Sequence, residues 1–145
     1  MNYPLMETPF PLAPFEEMKK KQAEQYFQWS IQDRENRNAV LQNHIKQTGG
    51  NVQLDKSVQS LLPLWEWFED QMEWEEVGRE ELNRRLSNGP EWMHPYILED
   101  TMEPTLLTKA IVVDIANYCG DTFIQHNFTI SWGYLTRPKA LDGIN

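Results

Sequence analysis

The run from Ser57 to Trp74, SVQSLLPLWEWFEDQMEW, constrains this chain more than any other stretch. It holds three of the six tryptophans, together with Phe68, Met72, Val58, Leu61, Leu62 and Leu64. Large aromatic side chains bury the most area per residue and dominate both cores and interfaces. Such a segment anchors a core, presents a contact surface, or does one on each side. Ser57 or Ser60 can cap a helix here, because a serine oxygen accepts an orphan amide of the first turn. Leu61, Leu64, Trp65, Phe68 and Met72 then recur at helical spacing and form the expected core stripe. Trp67 and Trp74 fall off that stripe, near one another in helical phase; they either pack under the N-terminal arm or another helix, or present a second surface, for which they are the nominated residues.

Acids crowd the same region. Glu66, Glu69, Asp70, Glu73, Glu75, Glu76, Glu80 and Glu81 stand against Arg79 alone. Their spacing spreads them around a helix, and no D-x-D-x-D-G loop is present, so a solvated face is expected and no metal or cofactor. Net charge is −9 and the isoelectric point is near 4.8. Non-specific nucleic-acid binding needs Lys and Arg to neutralise phosphates, and anionic membrane surfaces attract basic segments, so both classes are disfavoured. A basic or neutral protein partner fits better. Trp67, Glu69, Asp70, Glu73 and Trp74 are the candidate partner-binding residues, since interface hot spots favour tryptophan.

At 145 residues the chain suits one domain with a sizeable core. Its 40% hydrophobic and 12% aromatic content fits a folded protein rather than a disordered one. The lone Cys119 gives no internal disulfide, and with the absence of a long apolar run or a basic signal-like start it suggests a cytoplasmic protein.

Residues 1–14 carry Pro4, Pro9, Pro11 and Pro14 between apolar side chains. Proline fixes φ and removes amide donors, so an extended arm is expected, lying in a groove of its own domain or of a second copy. The remaining residues, 15–145, read as a single helical domain. Phe15 to Ile45 carry a long amphipathic stripe and read as one long helix, with an almost wholly polar middle at Gln32–Asn38 as the place for a kink, an interruption or greater exposure. Thr48-Gly49-Gly50-Asn51 ends it. Gly78 breaks the acidic segment, a second helix runs to Leu86, and Ser87-Asn88-Gly89-Pro90 stops it. The apolar loop over 91–104 is expected to pack down. Thr101 or Thr105 caps a helix over 106–127 whose apolar band is wide enough for a buried central helix. Phe128 to Tyr134 alternates strictly and reads as a strand. Its partner is Val52–Leu54, the chain end or another copy. The fold expected is mainly α, with a small β element near the C-terminus.

Catalytic signals are sparse. Cys119 and His126 are too far apart on one helix for a nucleophile and its base, by about 10 Å of rise. His44, His94 and His126 lack metal-ligand spacing, and no phosphate-binding glycine loop or G-x-S-x-G elbow appears. Asp114 is the exception worth pursuing. It lies within the apolar run AIVVDIA, with Arg34, Arg37 and Lys109 as candidate partners, and a pocket around Asp114, Tyr118 and His126 is the enzymatic alternative.

The segment over 54–68, LDKSVQSLLPLWEWF, with its S-x-x-S-L-x-x-L-W-x-W-F pattern, resembles one that recurs in small bacterial cytosolic proteins. The 106–127 helix and Ser131–Tyr134 fit the same family. The resemblance implies that most of the chain is one bacterial domain without an assigned activity, and it transfers no functional residue. The expected function is therefore a non-catalytic protein-interaction module, of the immunity or antitoxin type. An enzyme built on Asp114 and a homodimer assembled through the arm or the 128–134 strand are the other readings.

Overall fold

The computed structural model describes residues 2–134. It is mainly α, with helices α1 (Lys20–Gln32), α2 (Arg34–Gln47), α3 (Leu61–Gln71), α4 (Arg79–Asn88), α5 (His94–Glu99) and α6 (Leu106–His126). The β element is one antiparallel pair, β1 (Trp74–Glu76) with β2 (Met102–Pro104).

The stretch expected as one long helix is two helices. The chain first makes a 3-10 turn at Phe15–Glu17, enters α1 at Lys20, and breaks at Asp33, inside the polar interruption. Only α2 reaches the core, through Arg37, Asn38, Leu41, His44 and Ile45, while α1 buries nothing. The α2 terminator works through both glycines. Gly49 takes φ +80°, the left-handed conformation that glycine adopts without a Cβ penalty. Gly50 lies against Trp67, where an added Cβ would come within 2.6 Å of the indole.

Ser57 accepts the Ser60 amide, and Thr105 accepts the Thr108 amide, so both expected caps are made. The core face of α3 is Leu64, Trp67 and Phe68, with Leu61 and Met72 beside it. It is rotated from the expected stripe: Trp65 is half exposed, and Trp67 turns inward instead. Trp67 is only 7% exposed and donates its indole N–H to Thr48 Oγ1 at 3.0 Å, so it does not share a surface with Trp74. The side chain that periodicity assigned to the second surface is taken by the α2 terminus, which offers an acceptor and a glycine-sized gap.

Helix α6 is central but buried on one face only. Ile111, Asp114, Ile115, Tyr118 and Thr122 point inward, while Leu106, Val112, Val113 and Phe123 remain exposed. The arm lies against its own domain. Tyr3 is buried in the core beside His44, and Phe10 meets Trp29 edge-on at 6.2 Å.

The strand expected at 128–134 is not formed. Val52–Leu54, its candidate partner, is engaged by Gln42, whose carboxamide donates to Val52 O and accepts the Leu54 amide. The chain end, a second candidate, lies outside the described residues. The segment runs along α6 instead. Trp132 covers Gly120, where a Cβ would come within 2.3 Å of the ring, and donates to Asp121 at 2.8 Å. Among the described residues no helix is long and apolar enough to cross a membrane.

Candidate functional site

Between Phe68 and Thr108 no residue is buried. This stretch folds as a lobe. The β1–β2 pair closes its base, α4 and α5 pack on each other, and the lobe joins the core at the start of α6. There Glu73 O accepts the Thr105 amide at 3.0 Å, and the Glu73 amide donates to the buried Thr108 hydroxyl at 2.9 Å. The expectation that residues 91–104 pack down fails. Trp92 is 71% and Tyr96 65% exposed, and Trp74, Leu98 and Met102 are exposed beside them in the sequence of the lobe. The reason is local. Pro90 and Pro95 confine the chain to a 3-10 turn and the six-residue α5, too short to carry a full apolar stripe.

The lobe also carries the charge. Eleven carboxylates and three arginines lie between Phe68 and Thr108, a balance of −8, which leaves eleven acids and ten bases in the rest of the chain. Among the described residues, only Glu81 and Glu103 of those eleven form ion pairs. Glu81 bonds Arg84 and Arg85, and Glu103 bonds Arg85 and Lys109. The two guanidinium partners hold Glu81 well below the usual carboxylate range, at about 2.

Two placements are unfavourable for folding. Glu69 and Asp70 sit in the last turn of α3, which has no basic residue, where the helix dipole is negative. Glu75 stands directly across the ladder from Glu103, and like charges in that position repel.

Of the sequence candidates, Glu69, Asp70, Glu73 and Trp74 are exposed on or beside this lobe, and Trp67 is not. Trp92, Tyr96 and Leu98 were missed. An exposed aromatic shows no periodicity in so short a helix, and the signal that remained was a proline-bounded apolar loop.

Asp114, Tyr118 and His126 do not converge. Asp114 is 1% exposed and fully engaged: Arg37 Nε and Nη2 donate to its two oxygens at 3.0 and 2.6 Å, and the Tyr3 hydroxyl donates at 2.5 Å. Arg37 Nη2 also donates to Pro4 O at 2.9 Å, which ties the arm down. Burial, then the bond to Asp114, pushes the Tyr3 phenol far above its usual range. Of the three candidate bases, Arg37 holds Asp114, Arg34 pairs with Asp121, and Lys109 with Glu103. Tyr118 points instead to Ser60 Oγ at 2.6 Å and to the Lys56 amide at 2.9 Å. His126 lies at the surface, 3.0 Å from Lys56 O. These groups secure the arm, α3 and Lys56, whose φ of +59° is a strained conformation for a side-chain-bearing residue. Cys119 is half-buried, and burial pushes its thiol up, away from a nucleophilic thiolate. Among the described residues, no cluster of three His, Cys, Asp or Glu is placed to hold a metal ion. No protein-family model, curated protein or solved structure matches the chain.

Proposed function

We propose that this chain is a non-catalytic interaction module that binds a basic protein through its lobe. The carrying observation is the concentration of −8 of the net charge of −9 in a stretch that buries no side chain between Phe68 and Thr108. Folding does not account for it, because nine of its carboxylates are unpaired among the described residues and two positions set them against a helix dipole or each other. A cationic surface would relieve both. Trp74, Trp92 and Tyr96 supply the anchors that interfaces favour, and the carboxylates supply steering. Proteins that act on nucleic acid carry the cationic surface that phosphates require. Neutralising such a protein, as immunity proteins and antitoxins do, is the role this chemistry suits.

The test compares proteins retained by the wild-type chain with those retained by the triple reversal Glu69→Lys, Asp70→Lys, Glu73→Lys. The expected result is loss of a basic protein whose binding to wild type weakens steeply with salt. Retention of every wild-type partner by the triple variant would refute the reading.

A further inference from the structure

The β1–β2 pair leaves one edge open. Thr105 donates its amide to Glu73 O at 3.0 Å, and Val77 donates to Thr101 O at 2.7 Å, one bond at each end of the ladder. Bonded and non-bonded pairs alternate in an antiparallel ladder, so Glu75 and Glu103, midway between, are the bonded pair. The amides and carbonyls of Trp74 and Glu76 therefore point away from β2. None of these groups makes a hydrogen bond among the described residues, and all of β1 is exposed. A strand edge of this kind is a template for a further strand. The β2 edge is the poorer one. Pro104 has no amide to offer, and β2 lies against α6 with Glu103 and Pro104 half-buried.

Charge selects the occupant. Two copies joined through β1 would bring together lobes that each carry −8, with Glu75 and Glu76 on both sides of the new ladder. Like charges across a ladder repel, and charged side chains on an edge guard against such self-pairing. A basic strand meets the opposite condition. Side chains alternate across a strand, so Glu75 faces one side of the sheet while Trp74 and Glu76 face the other, alongside Pro104 and Met102. A strand that alternates lysine with an aliphatic residue sets lysine beside Glu75 and the aliphatic side chains along Trp74 and Met102. Main-chain bonds then supply the hold, and the alternate side chains supply the selection.

We propose that the outer edge of β1 receives an extended basic segment of the partner as a third strand, held by the main-chain groups of Trp74 and Glu76. This rests on the reading of the lobe as a site for a basic protein, and adds how that protein is held. The probe is the peptide acetyl-Lys-Val-Lys-Val-Lys-Val-Lys-amide, titrated into the full chain at constant ionic strength. A second arm uses the same peptide N-methylated at its valines, which keeps the charge and removes the amides that would bond β1. At saturation the first peptide should slow hydrogen exchange at the Trp74 and Glu76 amides by about tenfold or more. The Glu75 amide, already bonded to β2, should not change. The methylated peptide should bind at least about tenfold more weakly. Glu76→Pro removes an outward amide and no ladder bond, and should weaken the first peptide at least about tenfold beyond Glu76→Gln, which removes the charge alone. If Glu76→Pro fails to fold, the two peptides decide on the wild-type chain. Equal binding of both peptides would overturn strand addition and leave the basic-partner reading standing. Absence of saturable protection up to about 5 mM peptide, or protection that grows with the concentration of the chain alone, would overturn it as well. The basic-partner reading falls separately, if the triple reversal of Glu69, Asp70 and Glu73 keeps every partner.

Discussion

Where α2 meets α6, charge is buried and matched: Arg37 faces Asp114 and Arg34 faces Asp121, each with further hydrogen bonds around it. In the lobe between Phe68 and Thr108, no charge is fully buried and most is of one sign, eleven carboxylates against three arginines. The first arrangement fixes how the chain packs, since only one registration of arm, α2 and α6 satisfies Asp114. The second adds to packing only through the ion pairs of Glu81 and Glu103, and opposes folding at Glu69, Asp70 and Glu75. Charge that organises the fold and charge that the fold merely tolerates are thus separated along one chain. Substitutions in the two regions should differ in both size and kind.

The largest effect is expected at Asp114. Asp114→Asn leaves the Arg37 guanidinium buried without its counter-charge, and breaking a buried pair this way costs about 3–5 kcal/mol. Total stability of a domain this size is about 5–15 kcal/mol, so urea unfolding should show a large fall in midpoint. A loss below about 1 kcal/mol, typical of surface substitutions, would break the contrast between the regions. Tyr3→Phe tests the same network more gently. It removes one hydrogen bond to a charged group, about 1.5–3 kcal/mol, and should loosen the arm, seen as faster proteolysis between Tyr3 and Phe15. Unchanged proteolysis and stability would remove Tyr3 from the network.

These residues show where sequence reasoning reached the fold and where it stopped. Asp114 could be singled out because a carboxylate inside AIVVDIA must find a partner, and Arg37 was among the candidates. Tyr3 could not, because nothing local marks a tyrosine 111 positions away as that partner. The caps at Ser57 and Thr105, and the glycines after α2, were legible because they act on neighbouring amides. The 128–134 strand was misread because alternation records which side chains share a face, not whether a ladder partner exists. Trp67 was misplaced because a tertiary acceptor, Thr48, outweighed the helical phase that set Trp65 inward. In the lobe, Glu69, Asp70, Glu73 and Trp74 were read from charge and composition, while Trp92 and Tyr96 lay in a segment too short for a periodic signal.

A pH effect of intermediate size belongs to the core. His44 is buried between Tyr3 and Trp67, and burial, with a smaller contribution from the positive N-terminus, pushes its imidazole below the ordinary value of 6.5. The unfolded chain takes up a proton as pH falls through 6.5, and the folded chain resists it. Stability from this group is therefore complete above that value and declines as pH falls through the window below it, by at most about 1.4 kcal/mol per pH unit. His44→Gln should flatten the dependence of the urea midpoint between about pH 7 and 5.5. An identical slope in both proteins would mean that His44 charges freely in the folded state. The lobe aromatics should behave otherwise. Trp74→Ala with Trp92→Ala should change stability by only about 0.5 kcal/mol each, while weakening a partner by tenfold or more, about 1.4 kcal/mol. A large loss of stability would place these rings in the fold rather than on its surface.

The smallest expected effect sharpens the comparison most, because its sign is unusual. Glu75 stands across β1–β2 from Glu103, whose own partners are Arg85 and Lys109. Replacing a like-charged cross-strand pair by an opposite pair is worth about 0.2–1 kcal/mol, so Glu75→Lys should raise the urea midpoint slightly. The same change should weaken a cationic partner, and the gain in stability should shrink as salt screens the pair. An improved fold with a poorer interaction is the signature of residues kept for recognition at some expense to stability. If Glu75→Lys instead lowers stability at every salt concentration, the carboxylate supports the hairpin. The lobe's charge would then serve the fold, as the charge between α2 and α6 does.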